Sequence, residues 1–141
     1  MKKVRKGVEE EQIRRLIGEA CKARRRAYAP YSRFRVGAAV LSKDGRVFVG
    51  CNVENASYGL TVCAERVAIG NAITQGAREF VAIAVVYSAR REAVPCGACR
   101  QVLREFGGEM YVISATTRGK YRVRRLSDLL PGSFGGEELR E

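Results

Sequence analysis

A chain of 141 residues, 46% apolar and 29% charged, has the size and composition of one water-soluble domain over 1–141, and no apolar run nears the roughly 18 residues that cross a bilayer. The net charge of +11 is concentrated in residues 1–35, where twelve Lys/Arg face four Glu; it raises nucleic-acid binding, but the expected reading is a solvated helix face behind a flexible basic tail at 1–8. Histidine is absent, which excludes Ser-His-Asp and Cys-His nucleophiles and His-based metal sites and leaves carboxylates, thiolates or a metal to carry any chemistry.

In chain order, apolar residues at three- and four-residue spacing (Ile13, Leu16, Ile17, Ala20, Ala23, Ala27) predict an amphipathic helix over 9–27, ended by Ala29-Pro30-Tyr31-Ser32. Two β-prone runs, 34–41 and 47–53, flank Lys43-Asp44-Gly45 and predict a hairpin. After a loop at 52–60, helical spacing returns over 61–75, with Gly76 placed as its C-terminal cap. The unbroken apolar run 80–87 predicts a strand buried on both faces, and 88–94 a polar loop. Pro95 precedes a third helix at 97–106, two short strands follow at 110–114 and 120–123, and Ser127 is placed to cap a short helix through Leu130. Helices alternating with strands in the middle imply a sheet covered by helices. The last two strands are too close in sequence for a parallel crossover and are expected to run antiparallel. The basic start, residues 1–6, leads into no apolar stretch of the secretory kind, so a cytoplasmic location without membrane contact is expected.

Five cysteines, an odd number, argue against a disulfide framework. Cys96-Gly97-Ala98-Cys99 is a C-x-x-C pair at a helix start, where the positive helix end favours thiolates. Alone it is ambiguous among a zinc site, a redox pair and no function at all. Cys63-Ala64-Glu65 opens another predicted helix, so three sulfurs could converge with a glutamate beside them. Three protein ligands plus an open position is the pattern of catalytic zinc; a fourth ligand from Cys51 or Cys21 would instead close a structural site. Three thiolates leave the ion with excess negative charge, which Arg66, or less directly Arg100, and the two helix dipoles would offset.

Cys63-Ala64-Glu65 followed by Pro95-Cys96-Gly97-Ala98-Cys99-Arg100-Gln101 resembles the signature of the zinc deaminases that act on cytosine or adenine. Ala29-Pro30-Tyr31-Ser32, Gly37-Ala38-Ala39, residues 50–56, Leu129-Leu130-Pro131 and Phe134 extend the likeness over nearly the whole chain, to the small homotetrameric cytidine deaminases. The resemblance implies a three-layer α-β-α fold with a mixed five-stranded sheet. It implies one Zn2+ per chain on Cys63, Cys96 and Cys99, with Glu65 moving protons to N3 and to the departing ammonia. By the same likeness, Phe34 packs on the pyrimidine and Asn52 and Glu54 bind the ribose hydroxyls. Ala56, Tyr58 and Phe134 match positions that reach or close a neighbouring subunit's site. Val94 and Ser88 depart from the pattern, in the loop before the cysteine pair.

Three other readings compete. The charge favours deamination of RNA or single-stranded DNA, but the antiparallel final hairpin and the Asn52 and Glu54 positions resemble the free-nucleoside branch. A blasticidin-type nucleoside antibiotic is a second possible substrate, which the Asn52-Val53-Glu54-Asn55-Ala56 run fits less well. The third is a non-catalytic protein stabilised by zinc, in which Glu65 has no role. The expected partners are therefore a small nucleoside and other copies of the chain in a homotetramer, with neither membrane nor nucleic acid expected as a partner.

Overall fold

The computed structural model describes residues 3–5 and 8–140. The apolar spacing near the start becomes α1 (Glu10–Arg24), with Ile13, Leu16, Ile17, Ala20 and Ala23 buried. Glu10 and Glu11 in its first turn and Lys22 and Arg24 in its last complement the helix dipole. The helix ends short of Ala27 because Arg25, Arg26 and Ala27 donate to carbonyls three residues back, tightening the last turn. Ahead of it, β1 (Lys3–Arg5) pairs antiparallel with β2 (Val8–Glu9). Val8 is buried in the same cluster as Ile13 and Leu16. Met1, Lys2, Lys6 and Gly7 lie outside the described residues.

The main sheet contains β3 (Gly37–Ser42), β4 (Val47–Cys51), β5 (Phe80–Val86), β6 (Tyr111–Ala115) and β7 (Tyr121–Arg125), in the order β4-β3-β5-β6-β7. It is mixed. β3 runs antiparallel to β4 and β5, β5 is parallel to β6, and β6 is antiparallel to β7, as the short final connection requires. The parallel pair is joined through α3 (Gly97–Arg104), and α2 (Ala64–Thr74) links β4 to β5. Alternate strand residues face opposite ways. Ala39, Leu41, Ala82, Ala84 and Ile113 pack with α1, while Ala38, Val40, Ile83, Val85 and Val112 pack with residues of α2 and α3. The result is three layers with a core on each side of the sheet.

Two glycines fix how α2 sits. A Cβ on Gly50 of β4 would lie 2.4 Å from Ala68 N and 2.5 Å from Ala64 O, so the helix rests on bare backbone there. At the other end, Gly76 at φ 95° donates to Ile73 O, and Ala77 donates to Ala72 O. That is the Schellman pattern its sequence position implied.

Beyond the end of α1, several boundaries differ from the sequence reading, three of them near the site or the chain's last helix. β3 begins at Gly37 because the Asn52 side chain takes over from the ladder, accepting from Val36 N–H at 2.9 Å and donating to Phe34 O at 2.7 Å. α2 begins at Ala64 because Val53 and Val62 hydrogen-bond each other and a 3-10 turn, Tyr58–Leu60, fills the approach. The last short helix, α4 (Leu126–Leu129), starts one residue before Ser127, which is therefore inside it; no side chain caps it. No described helix is long and apolar enough to cross a membrane.

Candidate active site and metal centre

Cys63 is the N-cap of α2, Cys96 the N-cap of α3, and Cys99 lies in the first turn of α3. Two helix N-termini thus open toward one point, and the three sulfurs lie within 4.8 Å of one another. Sulfurs bound to one zinc at about 2.3 Å in tetrahedral geometry sit about 3.8 Å apart, so the trio fits such an ion with small adjustments. Among the described residues neither other cysteine joins the cluster. Cys21 points its sulfur at Thr117 O, 3.9 Å away, and Cys51 is paired with Gly37 in the sheet. The closed four-cysteine reading has no fourth ligand, and three soft donors with an open position remain.

Cys99 and Cys96 are shifted in opposite directions. Burial pushes Cys99 far up, with the charges of Glu65 and Cys63 adding to it. Burial opposes ionisation of Cys96 too, but hydrogen bonds from the Cys99 backbone and from the Cys99 and Cys63 thiols prevail and bring it below its ordinary value. Arg66 donates from Nη2 to Cys63 Sγ at 3.5 Å, placing a cation against the sulfurs. Arg100 does something else: it donates to Pro95 O at 2.8 Å and Leu129 O at 2.7 Å, tying the loop before Cys96 to the end of α4. Glu65, in the first turn of α2, is 5% exposed; burial raises its carboxyl pKa, partly offset by its own backbone N–H and by the Arg66 charge.

A cavity of about 180 Å³ opens over this point, and Cys63, Cys96, Glu65, Asn52 and Phe34 all line it. The Phe34 ring packs against Tyr87 at 4.9 Å between centroids. Asn52 is buried, and its amide holds the 34–36 backbone as described above. Glu54 lines a second, neighbouring depression of about 370 Å³ with Tyr31, Ser32 and Tyr58, and Thr61 belongs to both. Its carboxylate accepts from Tyr31 N–H at 2.9 Å, from Ser32 N–H at 3.2 Å and from the Ser32 hydroxyl. Tyr58 and Phe134 are 75% and 57% exposed and Ala56 is exposed; neither Ala56 nor Phe134 lines either depression. Sequence reasoning missed Thr61, Val36 and Tyr87 as lining residues. Tyr87 carries a weak signal, as the aromatic end of the buried strand run; the other two carry none.

The family model described as "Cytidine and deoxycytidylate deaminase zinc-binding region" matches residues 10–115. The chain belongs to this deaminase family. It is 51% identical over 127 residues to the cytidine deaminase of Halalkalibacterium halodurans, covering 89% of this chain and 96% of the relative. It is 49% identical over 124 residues to the cytidine deaminase of Mycobacterium tuberculosis, covering 88% of this chain and 90% of the relative. The crystal structure of cytidine deaminase from Burkholderia pseudomallei superposes with a TM-score of 0.81 at 52% identity, covering 85% of this chain and 97% of that one. As a deaminase of this family, the chain carries the mixed five-stranded sheet between helices that its sequence implied.

Proposed function

We propose that this single-domain protein deaminates cytidine, and 2′-deoxycytidine, to the corresponding uridine and ammonia, consuming one water, as a hydrolase of pyrimidine salvage. The observation that carries the reading is the convergence of Cys63, Cys96 and Cys99 beside buried Glu65, in a cavity that Phe34 lines. The three cysteines would hold one Zn2+ per chain. The chemistry that zinc supplies in such a three-ligand site is Lewis-acid activation of water at neutral pH.

The remaining work falls to side chains. Glu65, buried and poised to hold a proton, accepts one from the attacking water, delivers it to N3 of the pyrimidine and then assists the departure of ammonia from C4. Phe34, backed by Tyr87, packs on the face of the base. Glu54 accepts hydrogen bonds from ribose hydroxyls, and Asn52 contributes its remaining amide hydrogen while fixing the loop that carries Phe34. Arg66 moderates the charge of the three thiolates. Ala56, Tyr58 and Phe134, exposed in one copy, complete the sites of neighbouring copies in a cytoplasmic homotetramer.

Turnover of cytidine, with zinc content measured in parallel, tests this. Glu65→Gln is expected to keep zinc and lose nearly all turnover, and Cys96→Ala to lose zinc and turnover together. Near-normal turnover by Glu65→Gln contradicts the proton shuttle. Bound zinc with no turnover of either nucleoside contradicts the substrate assignment.

A further inference from the structure

Residues 24–35 read Arg-Arg-Arg-Ala-Tyr-Ala-Pro-Tyr-Ser-Arg-Phe-Arg, cations interleaved with aromatics and no acid. Tyr28 and Tyr31 within it are 56% and 50% exposed. The fold brings more cations to the same place. Arg24 Nε donates to Tyr87 O at 3.0 Å, seating the end of α1 against the loop that follows β5. In that loop the backbone N–H groups of Arg90 and Arg91 both donate to Ser88 Oγ, at 3.0 and 2.9 Å. Ser88 O accepts from Thr117 N–H at 2.9 Å, adding the turn that carries Arg118, and Arg35 donates to Arg25 O at 3.1 Å.

Arg25, Arg26, Arg35, Arg90, Arg91 and Arg118 are therefore gathered, all exposed, where the parallel strands β5 and β6 end. Among the described residues none of the six is in an ion pair. Glu92, the acid beside Arg91, faces Arg122 at 3.9 Å instead. Unpaired like charges held together repel one another, and a surrounding field of this sign attracts polyanions. Guanidinium suits phosphate in particular, and exposed aromatics among cations are the surface on which unpaired bases stack.

We propose that this corner docks single-stranded nucleic acid, with the arginines on its phosphates and Tyr28 stacked on a base. This surface borders the deamination pocket, which Phe34 and Tyr87 of the same segments line, but none of its six arginines lines that pocket.

The test is fluorescence anisotropy of a labelled oligouridylate of about twenty nucleotides, which contains no cytosine to turn over. Binding to the full-length protein is expected to weaken with salt, and the combined Arg25→Ser, Arg26→Ser, Arg90→Ser and Arg91→Ser variant to bind at least about tenfold more weakly. Its salt dependence should flatten by about 0.7 in log–log slope for each phosphate that is no longer neutralised, with cytidine turnover unchanged. Tyr28→Ala should weaken binding while leaving the salt slope in place. A control removing four cations elsewhere (Arg14, Arg15, Lys43 and Arg140 to Ser) should bind like the parent. Equal loss in the two four-residue variants, absence of binding at about 100 mM salt, or equal affinity for a duplex of the same length would overturn the proposal.

Discussion

Arg66 Nη2 meets Cys63 Sγ at 3.5 Å from three residues along the same helix, so one turn of α2 delivers a sulfur, a buried carboxyl and a balancing cation to the same point. Three thiolates around a dication leave a net negative centre, and Arg66 is the cation that touches them. Arg66→Gln is expected to lower zinc affinity or kcat by about 10- to 100-fold, the range seen when outer partners of metal ligands are removed. Zinc competition with a chromophoric chelator, alongside kcat at saturating metal, measures both effects. Unchanged values for both would remove Arg66 from the site's electrostatics.

Gly50 gives a stability prediction that also reaches the site. A methyl group there would sit 2.4 Å from backbone nitrogen of Ala68, and backbone cannot swing aside as a long side chain can. Gly50→Ala should cost about 1–3 kcal/mol, the range for forcing an extra methylene into a packed core. Because the displaced helix starts with Cys63 and Glu65, zinc affinity should fall as well. Thermal melting of the zinc-free and zinc-loaded variant separates the two losses.

Glu54 and Ser32 predict a pH dependence. The Ser32 hydroxyl, outweighing the opposing desolvation with help from the backbone N–H groups of Ser32 and Tyr31, holds the Glu54 carboxyl below its ordinary value. A depressed carboxyl stabilises the folded loop above the unfolded pKa, and that contribution disappears as pH falls through the folded pKa. KM for cytidine should therefore stay flat from neutral pH down through the ordinary glutamate range near about 4.3. Ser32 Oγ also accepts from Phe34 N–H at 2.9 Å, so Ser32→Ala loosens both ends. That variant should raise KM more than it lowers kcat and start the acid rise in KM at higher pH, with Ser32→Thr restoring much of the loss. A pH profile identical to the parent's would separate Ser32 from Glu54.

Much of this arrangement was legible in the residues. Period-3.6 and unbroken apolar runs located α1, α2 and β5, and the short link before Lys120 dictated the antiparallel final pair. Cys63 and Cys96 at helix starts implied that their sulfurs share a point, as they do. What escaped was set by interactions between distant residues. Asn52 takes the place of a ladder partner for Val36, which shifts the start of β3. Arg100, beside Cys99 in sequence, turns to two carbonyls because Leu129 O and Pro95 O lie within its reach, and only the fold reveals that. The arginine corner combines segments more than fifty residues apart, joined through Arg24 and Tyr87.

The central claim, a zinc-dependent cytidine deaminase working through three cysteines and Glu65, is tested most directly by following the loss of cytidine absorbance together with ammonia release. Purified protein loaded with zinc should convert cytidine to uridine with one ammonia per turnover, stop when a chelator removes the metal, and resume when zinc is returned. Turnover that survives complete removal of zinc, or zinc-loaded protein that leaves both cytidine and 2′-deoxycytidine untouched, would contradict it.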